Sequence, residues 1–413
     1  MMNLQPVRGT KDVFGRDMEK YNFIVSTAKK VSNLYNFVEI MTPIFEFSEV
    51  FEKNLGDTTD VVLNEIYKFK DKSDTYLSLR PEFTAGVVRA LNNHSELNER
   101  LPIKLFSHGP IFRYDRPQMG RQRQFSQVNF EYFGIGVYMG DVDIILLCDR
   151  FLNSLGLDNV NLEINSLGSA ESRKNFETSL GAYLEKYRDE LSGDSKIRLE
   201  KNILRILDSK DEKDKKILEG APKISDHYTE EDRRFFSDIL EKLAHVGIKY
   251  RVDEFLVRGL DYYTSTVFEY TTDKIGSKSA VMGGGRYDNL VGQMGGRSMP
   301  AVGCAAGVER LMLLLEDRAQ EIEPISIVPI SGEELSYCLE LVENLRGLGV
   351  VCELNSQGNI AKKMNQANRN KSKYAVIVGA DEVRDSLLTV KEMSTGIESK
   401  ISFTELLPKL PRI

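Results

Sequence analysis

The sequence predicts an α+β fold, a mainly antiparallel sheet flanked by helices, followed by a separate α/β domain. Three observations carry this. Strand-like runs recur before residue 135 without the regular strand–helix spacing of a parallel sheet. Near residue 171 the composition shifts to dense mixed charge and helix formers, which reads as a helical insertion. Only after residue 324 do strands and helices alternate in the βαβ manner.

With 413 residues the chain can hold two or three cores. Its hydrophobic fraction of 41% and charged fraction of 28% are those of an ordinary soluble protein. No apolar run reaches a membrane span, and MMNLQPVRGT lacks the apolar core of a secretion signal. A cytoplasmic protein without a membrane partner is expected. Cys148, Cys304, Cys338 and Cys352 form no CxxC pair, which argues for free thiols in a reducing compartment and against zinc. Cys338 and Cys352 could approach each other, but a buried thiol is the expected state of each. The net charge of −7 means that a nucleic-acid partner must be met by local basic patches.

Residues 17–37 carry Ile24, Val25, Ala28, Val31, Leu34 and Tyr35 at helical spacing, so an amphipathic helix is expected. FVEIMTPIFEF follows as an extended segment whose Pro43 suits an edge strand or a strand start. TYLSLRP, IKLFSHGPIFRYD and FSQVNFEYFGIG read as further strands, and so does LVRGLDYYTSTVFEY beyond the insertion. After the helix GVERLMLLLEDRAQ, EIEP (321–324) reads as a linker. The domains expected are a core of 1–170 and 241–320, an insertion of 171–240, and a C-terminal domain of 325–413.

Chemistry concentrates in a few stretches. FRYDRPQMGRQRQF sets Arg113, Arg116, Arg121 and Arg123 around a turn between two strands, where guanidinium forks can fold over polyphosphate. The glycine-rich run 281–307 lacks the GxxxxGK[ST] spacing of a Walker loop, yet it permits close backbone approach and leads into a helix carrying Arg310. Glu82 and Glu131 lie in expected strands, where a lone buried carboxylate needs a partner. They either pair with an arginine or read a donor-rich small molecule. The four histidines are scattered, with none at metal or triad spacing, and no resident metal is expected. Arg258, beside Gly259 and Asp261 in an apolar run, either pairs with Asp261 or Glu269 or serves a substrate.

These stretches, in this order, resemble the bacterial histidyl-tRNA synthetase family. TPIFEFSEVF resembles the first class II motif, with Pro43 at a dimer interface. FRYDRPQMGRQRQFSQVNFEYFG resembles the second and AVGCAAGVERLMLLL the third. VRGLDYYTSTVFEY and GGGRYDNL are similar to the family's histidine signatures, and PVRGTKD and the C-terminal segment match as well. The fold implied is a class II synthetase core with an anticodon-binding C-terminal domain.

The resemblance implies a homodimer that activates L-histidine with ATP and Mg²⁺, releases pyrophosphate, and transfers the aminoacyl group to tRNA(His). It implies ATP contacts from Arg113 (α-phosphate), Arg121, Arg310 (γ-phosphate), Phe125 (stacked on adenine) and Asp115. Glu82, Thr84 and Gln127 would hold the histidine α-amino group, and Glu131, Tyr262, Tyr263 and Tyr287 would shape the imidazole pocket. Arg258 would contact histidine and the α-phosphate and act in catalysis with Arg113. Arg116 and Gln118 would reach the tRNA acceptor end. Lys362, Lys363 and Arg369, with Lys371 and Lys373, would clamp tRNA through GNIAKKMNQANRNKSK. Phe83 and Asp115 depart from the usual pattern, which has glycine and glutamate there. The rival reading is a non-catalytic histidine-binding subunit of ATP phosphoribosyltransferase, expected to lack the C-terminal domain and to have eroded arginines. Here all of these are present.

Overall fold

The computed structural model describes residues 4–52, 65–118, 120–276, 279–316 and 323–410. Two residues of the expected linker, 321 and 322, and Met119 of the expected turn lie outside them. The chain forms two compact units, 1–318 and 319–413.

The first unit is organised by an eight-stranded sheet and a small three-stranded one. In chain order its strands are β1 (Val38–Glu39), β2 (Phe45–Phe47), β3 (Lys68–Lys70), β4 (Tyr76–Leu79), β5 (Ile103–Phe112), β6 (Gln124–Phe133), β7 (Asn161–Ser166), β8 (Tyr250–Val252), β9 (Thr266–Thr272), β10 (Ser279–Arg286) and β11 (Ala301–Gly307). The large sheet runs β1-β5-β6-β11-β10-β9-β7-β8, and only its two outer pairings are parallel. β2, β4 and β3 form the small antiparallel sheet.

Because strand side chains alternate, β6 divides the unit into two faces. Val128 and Phe130 point into a core shared with Phe106, Phe268 and three helices. One of these is Arg16–Leu34, which buries Ile24, Ala28 and Val31 as its spacing predicts while Leu34 stays exposed. The others are Met139–Ser154 and Glu230–His245. Gln127, Asn129 and Glu131 point the opposite way, into a cleft.

Arg286 ties sheet to helix. It is buried, donates to the Asp141 carboxylate and the Ile135 and Val137 carbonyls, and pairs with Asp288. Burial works against its cation, yet the two aspartates outweigh burial and raise its pKa.

Two stretches expected as strand are loops, although the strands beside them form as β4 and β9. Residues 253–265, expected as the start of a buried strand, run as turns and coil from β8 to β9, so Arg258, Tyr262 and Tyr263 stand on a loop. The apolar and aromatic residues there line a pocket rather than a ladder. Glu82 likewise precedes the helix Thr84–Asn93 and accepts from the backbone N–H groups of Thr84 (2.5 Å) and Ala85 (2.8 Å). Its partners are thus the orphan donors of a helix start, not an arginine.

Between β7 and β8 the chain is helical: Ala170–Leu184, Gly193–Lys201, Glu212–Leu218 and Glu230–His245, with 3₁₀ turns between. Phe176, Leu180 and Leu184 join a cluster with Leu91, Phe133 and Val267, so this stretch shares a core with the eight-stranded sheet. No helix among the described residues is long and apolar enough to cross a membrane.

The second unit has strands β12 (Ile325–Pro329), β13 (Cys352–Leu354), β14 (Tyr374–Val378), β15 (Leu388–Glu392) and β16 (Glu398–Ile401), ordered β13-β12-β14-β15-β16. The first two pairings are parallel, crossed by the helices Leu335–Gly347 and Ile360–Arg369, as the βαβ pattern predicts. The last two are antiparallel, and β16 has no counterpart in the sequence reading. Only Ile401 of its ESKI packs on the core, too little for an apolar alternation to show. All four cysteines are free and buried. Cys338 and Cys352 share one hydrophobic cluster, and Cys148 and Cys304 lie with their Sγ atoms 3.3 Å apart.

Candidate active site

The cleft, of about 610 Å³, is lined by β6, β10, β11, the β5–β6 hairpin, the 253–265 loop and part of the insertion. Thirteen of the expected histidine- and ATP-site residues line it: Glu82, Thr84, Arg113, Asp115, Arg121, Phe125, Gln127, Glu131, Arg258, Tyr262, Tyr263, Tyr287 and Arg310. Arg116 and Gln118 are exposed on the hairpin tip, outside that lining.

At one end sits a carboxylate in an apolar wall. Glu131 is 1% exposed and accepts from Thr84 Oγ1 (2.6 Å), Asn129 Nδ2 (3.0 Å) and the Tyr287 hydroxyl. Burial, only partly offset by these donors, lifts its pKa to about 7. Tyr262, Tyr263 and Tyr287 pack around it, with centroids 4.7 Å (262–263) and 5.5 Å (262–287) apart. Burial pushes all three phenols up. A Cβ on Gly303 would stand 1.7 Å from Glu131 Oε2, so only glycine leaves room for this carboxylate.

Asn129 was missed in the sequence, although the period of two along β6 from Gln127 to Glu131 points to it. Gln127 Oε1 is buried without a protein hydrogen-bond partner, an acceptor presented to the cleft. Burial also raises the pKa of Glu82.

Next to this pocket the arginines gather. Arg113 is anchored through Nε to the Pro81 carbonyl (2.8 Å), with its guanidinium 5.7 Å from the Phe125 ring. Arg121 lies 3.3 Å from Asp115, and Arg310 donates to the Ala280 carbonyl from the helix Val308–Leu314. Burial, then repulsion from Arg121, Arg113 and Arg258, pushes Arg310 down to about 10. Such an excess of positive charge is a site for an anion. Arg258 pairs with Glu269, one of the two partners expected, whereas Asp261 pairs with Arg205. A Cβ on Gly283 would meet Arg258 Nη1 at 2.9 Å.

The hairpin is braced from the N-terminal segment. Arg123 N–H donates to the Gly9 carbonyl (2.7 Å), and its guanidinium sits 3.8 Å from the Tyr114 ring. From the insertion, Arg198, Arg205 and Lys210 reach the cleft, a placement the mixed-charge sequence did not reveal.

In the second unit, Lys362 and Arg369 are exposed on the helix Ile360–Arg369, beside a groove of about 650 Å³. Lys363 is a correction to the expected basic face. It is 4% exposed and donates to the Pro329 carbonyl at 2.7 Å, because position 363 turns toward the sheet with Ala367.

Comparison with known proteins bears on these observations. A family model described as histidyl-tRNA synthetase matches residues 9–311, and one for an anticodon binding domain matches 325–413. The chain belongs to the histidyl-tRNA synthetase family. Its activity is the family's, the ATP-dependent ligation of histidine to tRNA by a class II aminoacyl-tRNA synthetase.

A histidine–tRNA ligase of Orientia tsutsugamushi (strain Ikeda) is 46% identical, covering 99% of this chain and 98% of its own. That of Wolbachia pipientis (subsp. Culex pipiens, strain wPip) is 47% identical over 97% and 98%. The apo histidyl-tRNA synthetase of S. aureus superposes with a TM-score of 0.81 at 32% identity, covering 98% and 99%. A Bacillus halodurans protein titled as an ATP phosphoribosyltransferase regulatory subunit/histidyl-tRNA synthetase aligns at 21% identity and TM-score 0.68, a likeness of fold alone. The regulatory reading is therefore not favoured.

The raised pKa of Glu131 makes the stability of the fold depend on pH. Its folded-state value of about 7 lies above the ordinary 4.5, so the stability it contributes is full at low pH and is lost as pH rises through about 7. Glu131→Gln removes this dependence. Urea denaturation of the ligand-free protein should show the variant gaining on the parent by up to about 3 kcal/mol between about pH 4.5 and 8. A difference that stays constant across that range would contradict the assignment.

Proposed function

We propose that the cleft binds histidine at its carboxylate–tyrosine end and ATP at its arginine end, and joins them in line. Glu131, with the Tyr262, Tyr263 and Tyr287 wall, reads the imidazole, while Glu82, Thr84 and Gln127 take the α-amino group. The orphaned Gln127 oxygen and the buried Glu82 carboxylate supply the acceptors an ammonium requires. An amino acid without ring donors would add nothing to the three protein donors that offset the burial of Glu131 only in part, which gives selectivity.

ATP enters with Mg²⁺ as its counter-ion. Phe125 stacks on adenine, Asp115 lies near the base, and Arg121 and Arg310 hold the outer phosphates. The histidine carboxylate oxygen attacks the α-phosphorus, the bond to the β-phosphate oxygen breaks, and pyrophosphate leaves. Arg113 and Arg258 face the charge that builds on the α-phosphate. A terminal ribose hydroxyl of tRNA then attacks the adenylate carbonyl, and AMP departs. The observation that carries this reading is the joining of a desolvated carboxylate pocket and a self-repelling arginine cluster in one cleft.

The Arg258–Glu269 pair is the resting partnership, which α-phosphate replaces. Arg258→Ala should lower histidine-dependent ATP–pyrophosphate exchange by about 10²–10³ while histidine and ATP still bind. Lysine should rescue poorly, because it lacks the fork. A folded variant that melts lower yet exchanges normally would make the arginine a brace for Glu269 only.

Transfer requires a grip on tRNA from Arg116 and Gln118 at the acceptor end and from Lys362 and Arg369 on the C-terminal unit. Lys362→Glu with Arg369→Glu should reduce tRNA charging about ten- to a hundredfold and leave pyrophosphate exchange intact. Equal charging by the double variant would remove the helix from the tRNA interface.

The reading extends to a homodimer in the cytoplasm. Around Pro43, Met41 (90%), Phe45 (55%) and Phe47 (62%) are exposed apolar side chains at the edge of a small sheet, which a second copy would cover. Light scattering should return twice the chain mass at micromolar protein, and an active monomer would refute the dimer.

A further inference from the structure

We infer that Arg205, on the helical insertion, is a positioning residue for histidine activation: it holds the 256–263 loop so that Arg258 faces the reacting phosphate. This rests on the reading of Arg258 given above.

The loop is packed at its two ends, where Leu256, Tyr262 and Tyr263 join the hydrophobic cluster. Its middle borders an open groove of about 540 Å³, lined in part by Leu167, Leu199, Leu204 and Leu260, and Gly259 there brings no side chain to the core. Polar tethers from the insertion hold that middle. Arg205 Nη2 donates to the Gly259 carbonyl at 2.7 Å, and Arg205 Nε and Nη2 donate to Asp261 Oδ1 at 3.3 and 3.2 Å. One guanidinium fork therefore grips the chain on both sides of Leu260, directly after Arg258. Arg173, on the helix Ala170–Leu184, donates through Nη2 to the Tyr263 carbonyl at 2.6 Å. Arg205 is itself steadied, since its carbonyl accepts from Arg198 Nη1 at 3.2 Å.

Gly259 is exposed, has no side chain to pack and retains the widest backbone freedom in the loop. A planar donor that spans a carbonyl and a carboxylate removes that freedom at a fixed geometry, which an ammonium cannot reproduce. Arg205 also lines the cleft, so the insertion reaches the reacting groups by way of this loop.

The test uses the full-length protein and histidine-dependent ATP–pyrophosphate exchange. Arg205→Ala should lower kcat about ten- to a hundredfold, the cost of a misplacement near 1 Å, with the KM for ATP unchanged. Millimolar guanidinium ion should restore part of the rate, and Arg205→Lys should restore less. Asp261→Asn, which keeps the Gly259 contact, should fall between, and it serves if the alanine variant folds poorly. In the Arg258→Ala background, Arg205→Ala should add almost nothing, because it acts through Arg258. An Arg205→Ala protein that melts lower but exchanges normally per folded molecule overturns the inference, as does a full additional loss in the double variant. Normal exchange by Arg258→Ala alone would instead defeat the reading of Arg258, so the two failures are separable.

Discussion

The first unit depends on keeping one carboxylate, Glu131, dry and available. An ionised carboxylate taken out of water is costly unless donors surround it. The surrounding sequence reads as a response to that cost. Thr84 and Asn129 offer two donors, Tyr287 offers a third, and Gly303 gives up its side chain so that the oxygen fits. These partners come from a helix start, from the same strand, from the loop after β10, and from β11. Four separated stretches are thus committed to one atom group, which is why the sheet must be antiparallel and continuous at its centre.

The arginine end obeys the opposite constraint. There the protein accumulates like charge that burial and mutual repulsion make uncomfortable, and it relieves the strain only in part. Arg113 leans on a backbone carbonyl, Arg310 on another, and Arg258 on Glu269. Carbonyl and single-carboxylate partners leave guanidinium donors over, so a polyanion has something to gain by entering. The cleft thus presents an unpartnered acceptor, Gln127 Oε1, beside a group of mutually repelling guanidiniums.

Much of this was legible in the sequence because the chemistry lies in contiguous stretches. The hairpin with its arginines, the glycine-rich strands and the C-terminal alternation all follow local periodicity. What was not legible depended on contacts across the chain. The 253–265 segment has strand composition, but its tyrosines are buried by a pocket instead of a neighbouring strand, and local propensity cannot tell these apart. Glu82 looked like a strand residue because the capping role it plays needs the turn after Pro81 to be known. Lys363 looked basic and accessible, yet its place one turn before Ala367 directs it inward. Arg205 and Arg173 sat unnoticed among the mixed charges of the insertion, whose pattern fits any solvated helix.

Arg286 stands within GGGRYDNL, next to Tyr287 of the cleft, yet it holds Asp141 and the 135–137 backbone and does not line the cleft. A signature read as one word is therefore two messages, one about scaffold and one about ligand. A descendant that had abandoned aminoacylation would still need Arg286 to keep its sheet attached to its helix, and would be free to lose Arg258 or Arg113. In sorting working enzymes from retired copies, the letters of that signature deserve unequal weight.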